Sequence, residues 1–295
     1  MHATRRGMVS ACDETVTDET MPHLPSAVDS LNQATWSKPE GVAVFSGYHG
    51  FIDAGERAAF LAVAPRVRGE AALDIGVGGG RTVSLLRLLT DDYIAVDYVP
   101  AMVDECRRAY PGLDVRVGDA RNLSDFQDGR FGLVLFSFNG IDSLAHDDRA
   151  LAFREFRRVL RPGGWLLFST HNMDGPSHRE VPWRDYRVRH RGVTGAVRWL
   201  MRFPFKLPRY TRRWRNYLRV RKMNRPGDEW SLRVSAPHDF GLVLHYVTLR
   251  ELHRELAAAG FTSVEVYDSE RGAPVHRGDD TRHVHAFHVL AQRPR

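Results

Sequence analysis

Cysteine is nearly absent: Cys12 and Cys106 are the two in 295 residues. That excludes a disulfide framework and a cysteine-rich zinc site, and both thiols read as incidental. Lysine is almost as scarce, for Lys38, Lys206 and Lys222 leave 39 of the 42 basic residues to arginine. A GC-rich coding genome produces such a skew, so where an arginine stands says more than that it is there. No apolar run approaches the ~20 residues of a membrane-spanning helix. Arg5 and Arg6 are followed by acidic and polar residues where a signal peptide would have an apolar core, so a cytoplasmic location is expected. The remaining composition, 43% hydrophobic and 26% charged, is that of a soluble globular protein.

The basic residues are unevenly placed. Between Arg179 and Arg225 stand 16 basic and two acidic residues, a local net of +14 in a chain whose total is +6. An otherwise acidic protein therefore carries one strongly basic insert.

Residues 1–40, rich in Thr, Asp, Glu, Ser and Pro, read as a flexible tail. The spacing of Phe51, Ala54, Ala58, Leu61 and Ala62 predicts a helix over 48–64, stopped by Pro65. A regular alternation follows. Short apolar strands are expected at 71–75, 93–96, 113–117, 131–138 and 165–169, with helices at 83–89, 101–110 and 149–160 between them. The rhythm breaks over 172–247 and resumes with a helix at 249–259 and strands at 264–267 and 284–290. Seven near-continuous apolar strands separated by helices predict an α/β fold, a doubly wound, mostly parallel sheet covered on both faces. The expected organisation is a core of 41–171 and 246–295, with 41–67 as a lid, and a helical or irregular cap at 172–245.

The most informative segment is Ala72-Leu73-Asp74-Ile75-Gly76-Val77-Gly78-Gly79-Gly80-Arg81-Thr82, which ends a strand, is glycine-rich and opens a helix. Glycine there lets the backbone approach a ligand closely. The dinucleotide pattern G-x-G-x-x-G would need glycine where Arg81 stands, whereas G-x-G-x-G fits Gly76, Gly78 and Gly80, with Asp74 at the strand end. In this the chain resembles the class I S-adenosylmethionine-dependent methyltransferases. Asp97 ends the second strand where that family's acid holds the ribose hydroxyls, and Tyr98 follows it. Asp119 and Ala120 follow the third strand where an acid meets the adenine amino group. Phe136-Ser137-Phe138-Asn139, at the end of the fourth strand, stand where the methionine end of the cofactor lies. Arg161-Pro162-Gly163-Gly164 before the fifth strand is a further likeness. The resemblance covers about 48–171 and 246–292, and implies a Rossmann-like sheet with an antiparallel C-terminal strand and S-adenosylmethionine as cofactor, leaving as S-adenosylhomocysteine.

The acceptor is narrowed by absences. Asn139 is followed by Gly140-Ile141-Asp142 and not by the Pro-Pro-aromatic run of enzymes that methylate nucleic-acid amines. Cys106 falls mid-helix, away from the place of a pyrimidine-attacking nucleophile. Asp142 alone beside Asn139 is a poor metal site, and no metal is expected. An acceptor hydroxyl or amine profits from a base. The candidates are His171, after the fifth strand, and the adjacent pair His238–Asp239 in the insert; each also reads as an ordinary cap or turn residue. Tyr48, His49, Asn139, Asp142 and Tyr246 are the expected acceptor-pocket residues.

In the insert, Trp183, Tyr186, Trp199, Phe203, Phe205, Tyr210, Trp214 and Tyr217 interleave with arginines, and two short helices are expected. Solvated arginine faces, an anionic small-molecule acceptor, RNA and peripheral membrane contact are the competing readings, in that order. The sequence therefore predicts methyl transfer to oxygen or nitrogen of a small molecule in specialised metabolism, the acceptor being anionic or lipid-like. The alternatives are an RNA methyltransferase and a non-catalytic cofactor-binding regulator. The oligomeric state is not readable.

Overall fold

In the computed structural model, residues 26–46, 50–182 and 193–295 are described, with backbone alone at Phe45 and 193–206. Three helices, α1 (Ala27–Trp36), α2 (Pro39–Ser46) and α3 (Ala54–Val67), lead into β1 (Ala72–Ile75). Then come α4 (Val83–Leu86), β2 (Tyr93–Asp97), α5 (Pro100–Ala109), β3 (Asp114–Val117), β4 (Phe131–Phe136), α6 (His146–Val159) and β5 (Leu160–Asn172). The insert supplies α7 (Val193–Val220), β6 (Trp230–Ser235), a single turn α8 (Pro237–Phe240) and β7 (Leu242–Val247), before α9 (Leu249–Ala258), β8 (Thr262–Asp268) and β9 (Ala286–Gln292).

Strands β3, β2, β1, β4 and β5 lie side by side and parallel. Every residue of β1 and β4 is buried, as a sheet covered on both faces requires. On the far edge β9 pairs antiparallel with β5, and β8 pairs antiparallel with β9. These seven strands are the expected core, including the antiparallel C-terminal strand. Among the described residues the sheet nevertheless has nine strands. The extra two are the β6–β7 hairpin of the insert: Tyr246 and Val247 pair in parallel with His171 and Asn172 at the end of β5. His171 also pairs with Ala286 of β9, so β7 occupies the edge of β5 that β4 has left. The cap is thus built onto the sheet, and β5, expected to end at 169, runs on to Asn172 to receive it.

Three helical expectations need correction. Residues 27–36 are not a tail: they form α1, which Ser26 and Asp29 cap reciprocally. Asn32 in its middle is fully buried, donating to the Val243 carbonyl (2.8 Å) and accepting the Val243 N–H (3.1 Å), which fixes α1 to β7. Its inner face carries Asp29, Asn32 and Thr35 beside Val28, so no apolar period betrays it. Helix α3 starts at Asp53, which caps it through the Glu56 N–H, and buries Ala59, Phe60, Val63 and Val67 while Phe51 and Leu61 are exposed. Alanine at 54, 58, 59, 62 and 64 flattens the pattern and hid that face. The two short insert helices are one, the 28-residue α7.

Candidate functional site

The order of the sheet reverses between β1 and β4, and at such a switch point open α/β sheets bind ligands at their carboxyl ends. A cavity of about 730 Å³ lies there, walled on one side by the loops after β1 to β4 and on the other by the insert.

The strand β1 ends into Gly76 and Gly78, both at positive φ (64° and 56°) and both in the cavity wall. A Cβ on Gly76 would stand 2.7 Å from the Phe136 ring, so a larger residue would push the loop off its base. Gly80 does other work: a Cβ there would meet the Tyr110 ring at 2.5 Å, and the residue does not reach the cavity. Asp74 is likewise behind the wall. It is fully buried, accepts hydrogen bonds from Thr82 Oγ1 (2.5 Å) and Tyr93 Oη (2.8 Å), and braces the strand against the loop. Burial raises its carboxyl to about 6.

Of the other residues expected at the cofactor, Asp97, Tyr98, Asp119, Ala120, Phe138 and Asn139 all line the cavity. Asp97 accepts the Gly78 N–H and the Val99 N–H, each at 2.9 Å. Burial lifts its carboxyl to about 6 against those two hydrogen bonds, and a carboxylate has about four acceptor positions, so two remain for a ligand. Asp119 is gripped by Arg121, through Nη2 at 2.6 Å and Nε at 3.0 Å. Arg121 also reaches Asp29 of α1 and Asp148 of α6, a three-acid junction that the sequence did not suggest. Phe138 and Asn139 hold positive φ (52° and 58°), a strained conformation costing about 1–3 kcal/mol each. The Asn139 N–H, bonded to Ser169 Oγ at 2.7 Å, helps hold the turn. Tyr98 Oη and Asn139 Oδ1 are buried without a hydrogen-bond partner, and each such atom calls for a ligand or water.

Arg81, which ruled out the dinucleotide pattern, is a strut. It makes a forked pair with Glu56 (2.6 and 2.7 Å) and donates to Ser137 Oγ and the Phe51 carbonyl, tying α3 to the turn after β4. Both partners of this pair are buried.

His171 lines the cavity, and behind it, out of the cavity, lies Asp142. The sequence placed Asp142 in the acceptor pocket; the fold makes it the histidine's support. Its carboxylate, completely buried, takes His171 Nδ1 (2.7 Å), the His171 N–H (2.7 Å), Thr170 Oγ1 (2.5 Å) and Arg149 Nη1 (2.9 Å). Arg149 bridges on to Glu255 with two bonds of 2.8 Å. With Nδ1–H given to Asp142, the lone pair of the neutral ring sits on Nε2, near Asn139 Nδ2 (3.4 Å) at the cavity. Such an imidazole can accept a proton from a bound hydroxyl or amine.

His238 and Asp239 also line the cavity but are not a dyad. Both lie at positive φ in α8 (51° and 53°), and no hydrogen bond joins them. The Asp239 carboxylate is taken by Arg209 Nε (3.1 Å) and Arg212 Nε (2.9 Å), and its carbonyl accepts from Asn216 (3.0 Å), so it anchors α7 to the hairpin turn. The His238 ring stands edge-on to Trp36 at 4.6 Å, and burial with the nearby Lys38 lowers its affinity for a proton. Tyr246 is outside the cavity: its hydroxyl bonds Ser235 Oγ (2.8 Å) and its ring packs 5.1 Å from that of His171. Tyr48, His49, Trp183 and Tyr186 lie outside the described residues. The side chains of Trp199, Phe203 and Phe205 do too. Cys106 is fully buried with its thiol pushed up to about 12.

His146, His245 and Glu255 bring one possible metal-ligand atom each within 4.8 Å, but they already have partners. The two rings hydrogen-bond at 3.1 Å and Glu255 carries Arg149. Among the described residues no helix is long and apolar enough to cross a membrane.

Comparison with known proteins agrees with this frame. Residues 73–168 match the family model described as a methyltransferase domain. Over 119 residues the chain is 36% identical to a phthiotriol/phenolphthiotriol dimycocerosates methyltransferase of Mycobacterium ulcerans, covering 39% of this chain and 41% of that protein; the chain thus spans less than half the length of that relative. The fold is that of a Burkholderia thailandensis 1,6-didemethyltoxoflavin-N1-methyltransferase (TM-score 0.55, 15% identity, 92% of this chain and 93% of that one). It is also that of the CcbJ methyltransferase of Streptomyces caelestis (TM-score 0.52, 18% identity, 86% and 96%). Over residues 73–168 the ordered glycines and acids and the matching domain make this chain similar to the class I S-adenosylmethionine-dependent methyltransferases, and the sheet has the fold of such enzymes.

Proposed function

We propose that this protein transfers the methyl group of S-adenosylmethionine to a hydroxyl or amine of a small molecule, with His171 as the base. The observation that carries the reading is His171 held through Nδ1 by a buried Asp142 while it lines the cavity that Gly76, Gly78 and Asp97 also line. The bound cofactor supplies an electrophilic methyl on sulfur. Asp97 would accept its ribose hydroxyls, and Tyr98 Oη and Asn139 Oδ1 are unpartnered polar atoms suited to its polar groups. Asp119 and Ala120 would flank the adenine.

On the acceptor side, the β6–β7 turn, α7, α1 and α2 close the cavity. Holding the acceptor atom in line behind the methyl lowers the barrier by several kcal/mol. His171 removes the proton that the acceptor loses, and Asp142 stabilises the imidazolium that results. The relative that methylates 1,6-didemethyltoxoflavin supports a small-molecule acceptor, and we place the reaction in specialised metabolism in the cytoplasm. A lipid-like acceptor is the second reading. It is favoured by Leu207, Trp214 and Leu218, exposed along α7 beside Arg212, Arg215 and Arg219, and by the mycobacterial relative.

The test is incubation with methyl-labelled S-adenosylmethionine and host extract, followed by fractionation. Label in small molecules supports the reading, and label in lipid selects the second. Label in RNA, or none at all while S-adenosylhomocysteine binds, contradicts both.

A further inference from the structure

We propose that Arg213 binds an oxyanion, a carboxylate or phosphate, carried by the acceptor. Three arginines are buried among the described residues: Arg81, Arg149 and Arg213. Arg81 has Glu56, and Arg149 has Asp142 and Glu255. Arg213 is 8% exposed and has no carboxylate partner among the described residues. A guanidinium largely covered by protein, with no counter-charge and facing a cavity, is placed to take an anionic ligand there.

The local structure keeps this one unpaired. Tyr210, Arg213, Tyr217 and Val220 form the inner face of α7 at helical spacing. The Arg213 guanidinium lies over the Phe240 ring at 5.0 Å and near that of Tyr210 at 5.8 Å. Aromatic faces steady the charge and leave its edge of N–H donors unused. The acid of the adjoining turn, Asp239, is engaged by Arg209 and Arg212. Arg213 lines the same cavity as His171 and Asn139. A planar fork of donors there suits a carboxylate or phosphate.

The inference rests on the acceptor cavity of the proposed function. Its test uses the full chain saturated with S-adenosylhomocysteine and measures binding of benzoate and phenyl phosphate against neutral benzamide by calorimetry. The expected result is a preference of at least about tenfold for the acids, reduced to within about twofold in Arg213→Gln and kept in Arg212→Gln. Equal binding of acids and amide by the native protein, or a preference that survives Arg213→Gln, would overturn it. So would a tenfold loss of S-adenosylhomocysteine affinity in Arg213→Gln with the acid preference intact, which would assign the arginine to the cofactor's carboxylate. Arg213→Met guards against a purely structural role: in anion-free buffer it should melt no lower than the native protein, and a clear fall in melting temperature would contradict the proposal. Failure of the native chain to bind S-adenosylhomocysteine would instead sink the methyl-transfer reading itself.

Discussion

Two histidines line the cavity, each with an aspartate at hand, and they are built for different ends. His171 sits on β5, paired on both sides within the sheet, and its partner Asp142 comes from 29 residues away with every bond directed inward. His238 is next to Asp239 in sequence, yet that carboxylate faces two arginines of α7. Adjacent residues in a turn need not share a direction, and a carboxylate goes to the strongest donors within reach. Residues at the ends of parallel strands are brought together by the fold itself. On the proposed function, the sheet side of the cavity would carry the chemistry and the cap the recognition.

Loss of the base is the largest effect expected. His171→Ala should lower kcat by about 10²–10⁴-fold, while His238→Ala should raise the acceptor KM and change kcat less than tenfold; steady-state kinetics separate the two. Equal losses of kcat would erase the distinction. Next come the two aspartates. Asp142→Asn removes the acceptor of a buried Arg149 bond and should cost about 3–5 kcal/mol in urea unfolding, whereas Asp239→Asn, facing exposed arginines, should cost at most ~1 kcal/mol.

A pH dependence sharpens the cofactor side. The Asp97 carboxyl is raised to about 6 in the protein, so below that pH it is protonated, and above it the carboxylate can accept two hydroxyls. Binding favours the ionised form, so S-adenosylhomocysteine affinity should fall as pH drops through 6, at most tenfold per unit, and be level above 7. Asp97→Asn should bind more weakly with a flat profile, which calorimetry from pH 5 to 8 would show. The same raised value disfavours the charged form on folding, so this group's contribution to stability is full below its unfolded value and lost as pH rises through 6. The smallest effect is expected at Arg212→Gln, where an exposed partner of Asp239 is lost: a change in stability below ~1 kcal/mol, read by thermal melting.

The centre of the sheet was legible because β1 and β4 are apolar on both faces and the glycine loop follows β1. The cavity residues Gly76, Gly78, Asp97 and Asp119 were legible because they recur at strand ends. The rest was hidden for physical reasons. Helix α1 is fixed by the buried amide of Asn32, which hydropathy reads as surface. Asp74 and Gly80 belong to the motif but brace it from behind, and spacing alone does not separate wall from support. The pairing of His171 with Asp142 depends on β5 running on to Asn172 and on the turn after β4, neither of which leaves a periodic signal. Arg81, Arg121 and Arg149 looked like part of a genome-wide arginine excess, and only their buried acids set them apart.

The most direct test is the initial rate of label transfer from methyl-labelled S-adenosylmethionine into the small-molecule fraction of host extract, measured for His171→Ala and His238→Ala at saturating cofactor. His171→Ala should lose at least about a hundredfold while still binding S-adenosylhomocysteine like the native protein, and His238→Ala should retain most of the rate once acceptor is raised. Native-like transfer by His171→Ala would contradict a role for His171 as the base.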